Sequence, residues 1–118
     1  MGERTALART CDILAQIGNL EQFLTGKTLS DFQSDVILRL AVERALEIIS
    51  EASKHLPDSI KAGHAEIPWQ EVRAIGNLLR HEYQRVDADL IWVTATKDIV
   101  PLRLAMEEIR QKLMAAKE

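Results

Sequence analysis

An all-α fold, an up-and-down bundle of four to five helices, is predicted by three observations. Apolar residues recur at three- and four-residue steps along the chain, no segment shows the two-residue alternation of a half-buried strand, and cap or breaker residues separate the periodic runs. The 118 residues suit a single domain, 1–118, with one core. A 47% apolar content with mixed charges is that of an ordinary globular protein.

The first helix is predicted from Thr5 to Thr25, with Leu7, Cys11, Leu14, Ile17, Leu20 and Leu24 as its stripe and Gly26 as a left-handed cap. Ser30 and Gln33 have the spacing of a capping box, which opens a second helix carrying Ile37, Ala41, Ala45, Ile48, Ala52 and Leu56 up to Pro57. At about seven turns it is the longest element expected. Pro57 to Ile67 reads as a surface connection. A third helix runs from Pro68 to about Tyr83, with Val72, Ile75 and Leu79 inward. Asp87 caps a fourth helix with Leu90, Ile91 and Trp92, which Pro101 must end or kink, and Leu102, Met106, Ile109 and Leu113 face inward on the last.

Composition excludes several functions. No apolar run approaches the roughly 20 residues that cross a bilayer, and the N-terminal MGERTALART lacks the apolar middle of a secretory signal, so a cytoplasmic chain without membrane contact is expected. Cys11 has no second cysteine to pair with, which excludes an internal disulfide or thiolate metal site; it is expected to be a small buried apolar residue. His55 and His64 lie too far apart for helical metal-ligand spacing and are expected in solvent. Without a glycine-rich phosphate loop or a carboxylate cluster, neither metal nor cofactor is predicted. A net charge of −3 argues against wrapping nucleic acid, so RNA contact must come from a local basic cluster.

The third helix holds such a cluster. At 100° per residue, Arg73, Asn77, Arg80, His81 and Gln84 gather within roughly 100° on a face apart from the apolar arc. Taken alone, the stripe fits an ordinary solvated face. Gly76, however, lies inside this helix, where glycine costs about 1 kcal/mol relative to alanine, and so calls for a packing or functional reason. Trp69 and Trp92 stand among apolar neighbours as core or interface residues. Glu43, Arg44, Glu47 and Glu51 form a charged row on the second helix, read as an ion-paired face within reach of the third.

The order PWQEVRAIGNLLRHEYQRVDADLIWVTATKDIVPL, preceded by AVERALEIISEASKHL, resembles the HepT toxins of the HEPN superfamily over nearly the whole chain. The resemblance is carried by Glu43-Arg44, Leu46-Glu47-Ile48-Ile49, Glu51-Ala52, Ile67-Pro68-Trp69, Asn77, His81 and Tyr83, Val86-Asp87, and Trp92 leading to Asp98 and Pro101. It implies a HEPN-like helical fold and metal-independent RNA cleavage at a site shared by two subunits of a homodimer. It also implies a nucleotidyltransferase (MntA-like) antitoxin that transfers AMP to the tyrosine two residues past the histidine, here Tyr83. The family pattern sets an arginine directly before the asparagine, and this chain has Gly76 there.

Side chains on a helix lean toward its N-terminus, so Arg80 is expected to lie back across the space left by Gly76 and supply the cation. Cleaving RNA without metal needs a proton carrier at the 2′-hydroxyl and leaving oxygen and a cation at the phosphorane. His81, Arg80 and Asn77 are therefore the expected catalytic group, and Arg73, Arg80 and Arg85 the expected RNA contacts. Two other functions fit the same resemblance: a catalytically silent relative that binds nucleotide or RNA, and a helical adaptor for a nucleotidyltransferase.

Overall fold

A computed structural model describes residues 5–82 and 86–117. Helix α1 (Ala6–Leu24) starts on Thr5, whose hydroxyl accepts the Ala8 N–H at 3.0 Å, and is left through Gly26 at φ 74°. Its buried face is Thr10, Ile13, Ile17, Leu20 and Leu24. Cys11 is exposed, contrary to expectation. The stripe passes one residue to the side because the Thr10 hydroxyl donates to the Ala6 carbonyl at 2.8 Å, which lets a threonine take the core position.

The predicted long second helix is two helices. Thr28 and Asp31 form the capping box of α2 (Leu29–Ser34), two residues before the Ser30–Gln33 spacing. At Asp35 the backbone turns extended, and its carboxylate accepts the Leu38 N–H at 3.0 Å to start α3 (Val36–Lys54). The break lets α2 insert Phe32 fully into the core, where its ring meets that of Trp92 at 5.7 Å. It also sets the rotation of α3: Leu38, Val42, Ala45, Leu46, Ile49 and Ala52 are buried, while Ile37 is 81% exposed.

The connection after Pro57 contains the short α4 (Asp58–Ala62). Trp69 ties it down, its indole N–H shared between the carbonyls of Lys61 and His64, both at 3.1 Å. His64 is buried here, 3.4 Å from Glu66, where solvent was expected; His55 is exposed. Helix α5 (Trp69–Glu82) follows, and the Pro68 carbonyl accepts its first hydrogen bonds. Asp87 caps α6 (Ala88–Val93), as its spacing predicts.

Pro101 neither ends nor splits the helix after it. A π-helical turn, Thr94–Asp98, comes first, in which the Ile99 N–H reaches back five residues to the Thr94 carbonyl. The wide turn accommodates the missing proline N–H, and α7 (Ile99–Lys117) runs on with Leu102, Met106 and Ile109 buried.

The four long helices form the bundle. Helix α3 packs between α1 and α5, and α7 packs on the far side of α1. Between α5 and the α6–α7 arm the bundle is open. A groove of about 510 Å³ lies there, floored by Leu46, Ile49, Ile75 and Leu102 and rimmed by Leu78 and Leu90. No helix among the described residues is long and apolar enough to cross a membrane.

Candidate functional site

Helix α5 is held to α3 by a contact that only glycine permits. Gly76 is buried, and a Cβ built on it would stand 2.3 Å from Ser50 Oγ and 2.6 Å from Ser50 Cβ, well inside any real contact. The same Ser50 hydroxyl donates to the Arg73 carbonyl at 2.9 Å, one turn up the α5 backbone. Ser53 continues the seam by donating to the Ser50 carbonyl at 2.7 Å. The glycine thus serves a close approach of two helices, and the cost of placing it in a helix is offset by packing.

This corrects one expectation. The space beside Gly76 is filled by Ser50 of α3, not by the Arg80 guanidinium. Arg80 instead turns along the outer edge of the seam. Its Nη2 donates to Asn77 Oδ1, and its Nη1 stands 3.5 Å from Glu51 Oε1 across the helix pair. Because a guanidinium only donates, the asparagine oxygen must face it, and the amide NH₂ lies on the opposite side. Glu51 also accepts from His55 Nε2 at 3.1 Å and pairs with Lys54 Nζ at 3.5 Å. The His55 hydrogen bond, with the Lys54 charge adding to it, holds the Glu51 carboxyl below the usual carboxylate range.

Arg73, Asn77, Arg80 and His81 are all exposed on the outer side of α5. Asn77 and Arg80 are in direct contact; Arg73 and His81 stand one helical turn from Asn77 on either side. Tyr83 and Arg85, the expected AMP acceptor and the third expected RNA contact, lie outside the described residues, as does Gln84. The expected row on α3 is partly ion-paired at the surface, with Arg44 and Glu47 at 3.1 Å. Glu43 departs from it. It is buried and bound at 2.6 Å to Arg39, whose Nη2 donates to the Val86 carbonyl, also at 2.6 Å, so this pair anchors the chain just before α6.

Sequence reasoning missed Ser50, and it placed Glu51 only within a charged row. The available signal was the small-residue run Ser50, Ala52 and Ser53 on α3, which offers a shallow face for a glycine on a neighbouring helix. Among the described residues, no group of three or more His, Cys, Asp or Glu side chains is arranged to hold a metal ion.

The family model described as "Ribonuclease HepT-like" matches residues 13–109. A protein of Thermococcus cleftensis named "Probable ribonuclease HepT" is 40% identical over 85% of this chain and 91% of its own length. A candidate RNase of Caldanaerobacter subterraneus is 38% identical over 85% of the chain and 89% of its own length. One from Methanocaldococcus jannaschii is 30% identical over 91% of the chain and 98% of its own length. No solved structure gives a significant match.

Proposed function

The chain belongs to the ribonuclease HepT-like family, and we propose that it is a metal-independent endoribonuclease whose site is completed by a second copy of itself. The relatives it matches over most of their length are named as ribonucleases, which supports the reaction class. The observation that carries the reading for this chain is the exposed row on α5: Arg80 locked to Asn77, with His81 and Arg73 a turn away on either side.

In this reading the 2′-oxygen of RNA attacks the adjacent phosphorus and the bond to the 5′-oxygen breaks. One protomer's His81 accepts the 2′-hydroxyl proton, and the partner's His81 gives a proton to the departing oxygen. Arg80 stabilises the charge gathering on the phosphorane, Asn77 fixes the guanidinium and offers its NH₂ to a phosphate oxygen, and Arg73 and Arg85 hold the flanking backbone. Pooling two such rows offsets the chain's net charge of −3. The open groove between α5 and the α6–α7 arm is the apolar surface on which the second copy sits; it is lined in part by α5, the helix that carries His81.

The toxin–antitoxin role, the cytoplasmic location and control by AMP on Tyr83 belong to the same proposal and rest on the resemblance of the sequence. An AMP group there would add bulk and negative charge two residues from His81. Incubation with a cognate nucleotidyltransferase and ATP should raise the intact mass by one AMP, and Tyr83→Phe should abolish the gain.

The central experiment incubates the purified chain with RNA in the presence of a chelator. Cleavage is expected, and His81→Ala should remove it together with growth arrest on expression. Arg80→Ala that folds and cuts undiminished would reject the assignment of the cation. The Gly76–Ser50 seam favours a second reading, because it fills the place where the family pattern sets its arginine: a relative that binds RNA without cutting it. RNA affinity without cleavage selects that reading.

A further inference from the structure

Glu51 is not among the groups assigned to the reaction, yet it is the acidic side chain that meets the cation of the site from another helix. Its Oε1 lies 3.5 Å from Arg80 Nη1, while its Oε2 receives His55 Nε2 at 3.1 Å and Lys54 Nζ stands 3.5 Å from Oε1. The carboxylate is thus gripped from its own helix by two cationic or donor groups and presents one oxygen across the seam. That reach depends on the adjacent Ser50, which lies against Gly76 so closely that no Cβ fits between. A wider helix pair would carry Glu51 away from Arg80.

We propose that Glu51 is a positioning residue for Arg80. With Asn77 Oδ1 on one terminal nitrogen and Glu51 on the other, the guanidinium plane is fixed by two separate helices, and its remaining donors are left for a phosphate. Orientation of this kind acts at the transition state, where the in-line phosphorane needs donors at set positions. The carboxylate also opposes the approach of a polyanion. Its two effects therefore run in opposite directions: it raises turnover and weakens ground-state binding. His55 and Lys54 act through Glu51, by fixing the carboxylate's rotation.

This inference rests on the ribonuclease reading, and its test separates the two. Wild type, Glu51→Gln and Glu51→Asp are compared on a short single-stranded RNA reporter, alongside guanidinium N–H NMR of Arg80, assigned by its loss in Arg80→Lys. Glu51→Gln should shift the Arg80 signal, lower kcat about tenfold and lower KM a few-fold, a combined fall that general loosening of the helix pair does not produce. Glu51→Asp, which keeps the charge on a shorter arm, should recover part of kcat. An unmoved Arg80 signal in Glu51→Gln overturns the proposal, as does a fall in kcat with a rise in KM. If the wild type cuts no RNA, the ribonuclease reading fails alone: the NMR shift and tighter RNA binding by Glu51→Gln, read by fluorescence anisotropy, still decide whether Glu51 holds Arg80.

Discussion

The two flanks of α5 are built on opposite principles. Toward α3 the helix is pressed so close that Gly76 admits no Cβ and a serine hydroxyl bridges to the α5 backbone. Toward the α6–α7 arm the same helix leaves a groove of about 510 Å³ floored by aliphatic side chains. One flank is a finished interface and the other an unfinished one, with the polar row between them. A helix anchored hard on one side can hold a site steady while its other side remains available to a second subunit, so rigidity and assembly need not compete.

The largest effect is expected on the open flank. Leu90 rims the groove and is 47% exposed, so Leu90→Glu should leave the helical circular dichroism intact. An unpaired charge buried in the interface should weaken the dimer about 100-fold or more, seen as a monomer in sedimentation, with RNA cleavage falling in step. A Leu90→Glu protein that stays dimeric would show that the second copy sits elsewhere.

The closed flank should respond in stability instead. Gly76→Ala is expected to lower unfolding free energy by about 1–3 kcal/mol despite alanine's better helix propensity, because both Ser50 Oγ and Cβ stand in the way. Gly76→Arg, which restores the family's arginine, should cost at least as much. Ser50→Gly should recover part of either loss, measured as a coupling in a double-mutant cycle of urea denaturation. Additive single effects would mean the seam is looser than its geometry.

Ser50→Ala removes the hydroxyl alone and should cost about 0.5–1.5 kcal/mol for the bond to the Arg73 carbonyl. The smallest effect is electrostatic. The Glu51 carboxyl is depressed below its ordinary value of 4.5, so the stability it adds is complete above that pH and is lost as pH falls through the folded-state value. Wild type and Glu51→Gln should therefore differ in unfolding free energy at about pH 6 by well under about 1 kcal/mol for so exposed a pair, and the difference should vanish as pH falls below the folded-state value.

Much of this was legible in local patterns, and the exceptions share a cause. The Asp87 cap, the Gly26 stop and the inward faces of α5 and α7 follow from residues a few positions apart. The division between α2 and α3 was hidden because the Ser30–Gln33 spacing imitates a capping box ahead of Asp35, the residue that caps α3. Within Val36-Ile37-Leu38 nothing local says which side chain turns inward, and the position of α2 selects Leu38. His64 was misplaced for a similar reason, since burial in a connection depends on Trp69 folding back over it.

The polar row of α5 also follows from helical spacing, which places Arg73, Asn77, Arg80 and His81 on one side whatever the helix packs against. What Gly76 is for could not be read that way. Its partner is a serine on another helix, and so is the carboxylate that meets Arg80. Periodicity is a property of one segment and settles which residues share a face. The distance between two faces is settled only when helices from remote parts of the chain are packed together, and in this protein that distance decides where the Arg80 guanidinium can meet Glu51.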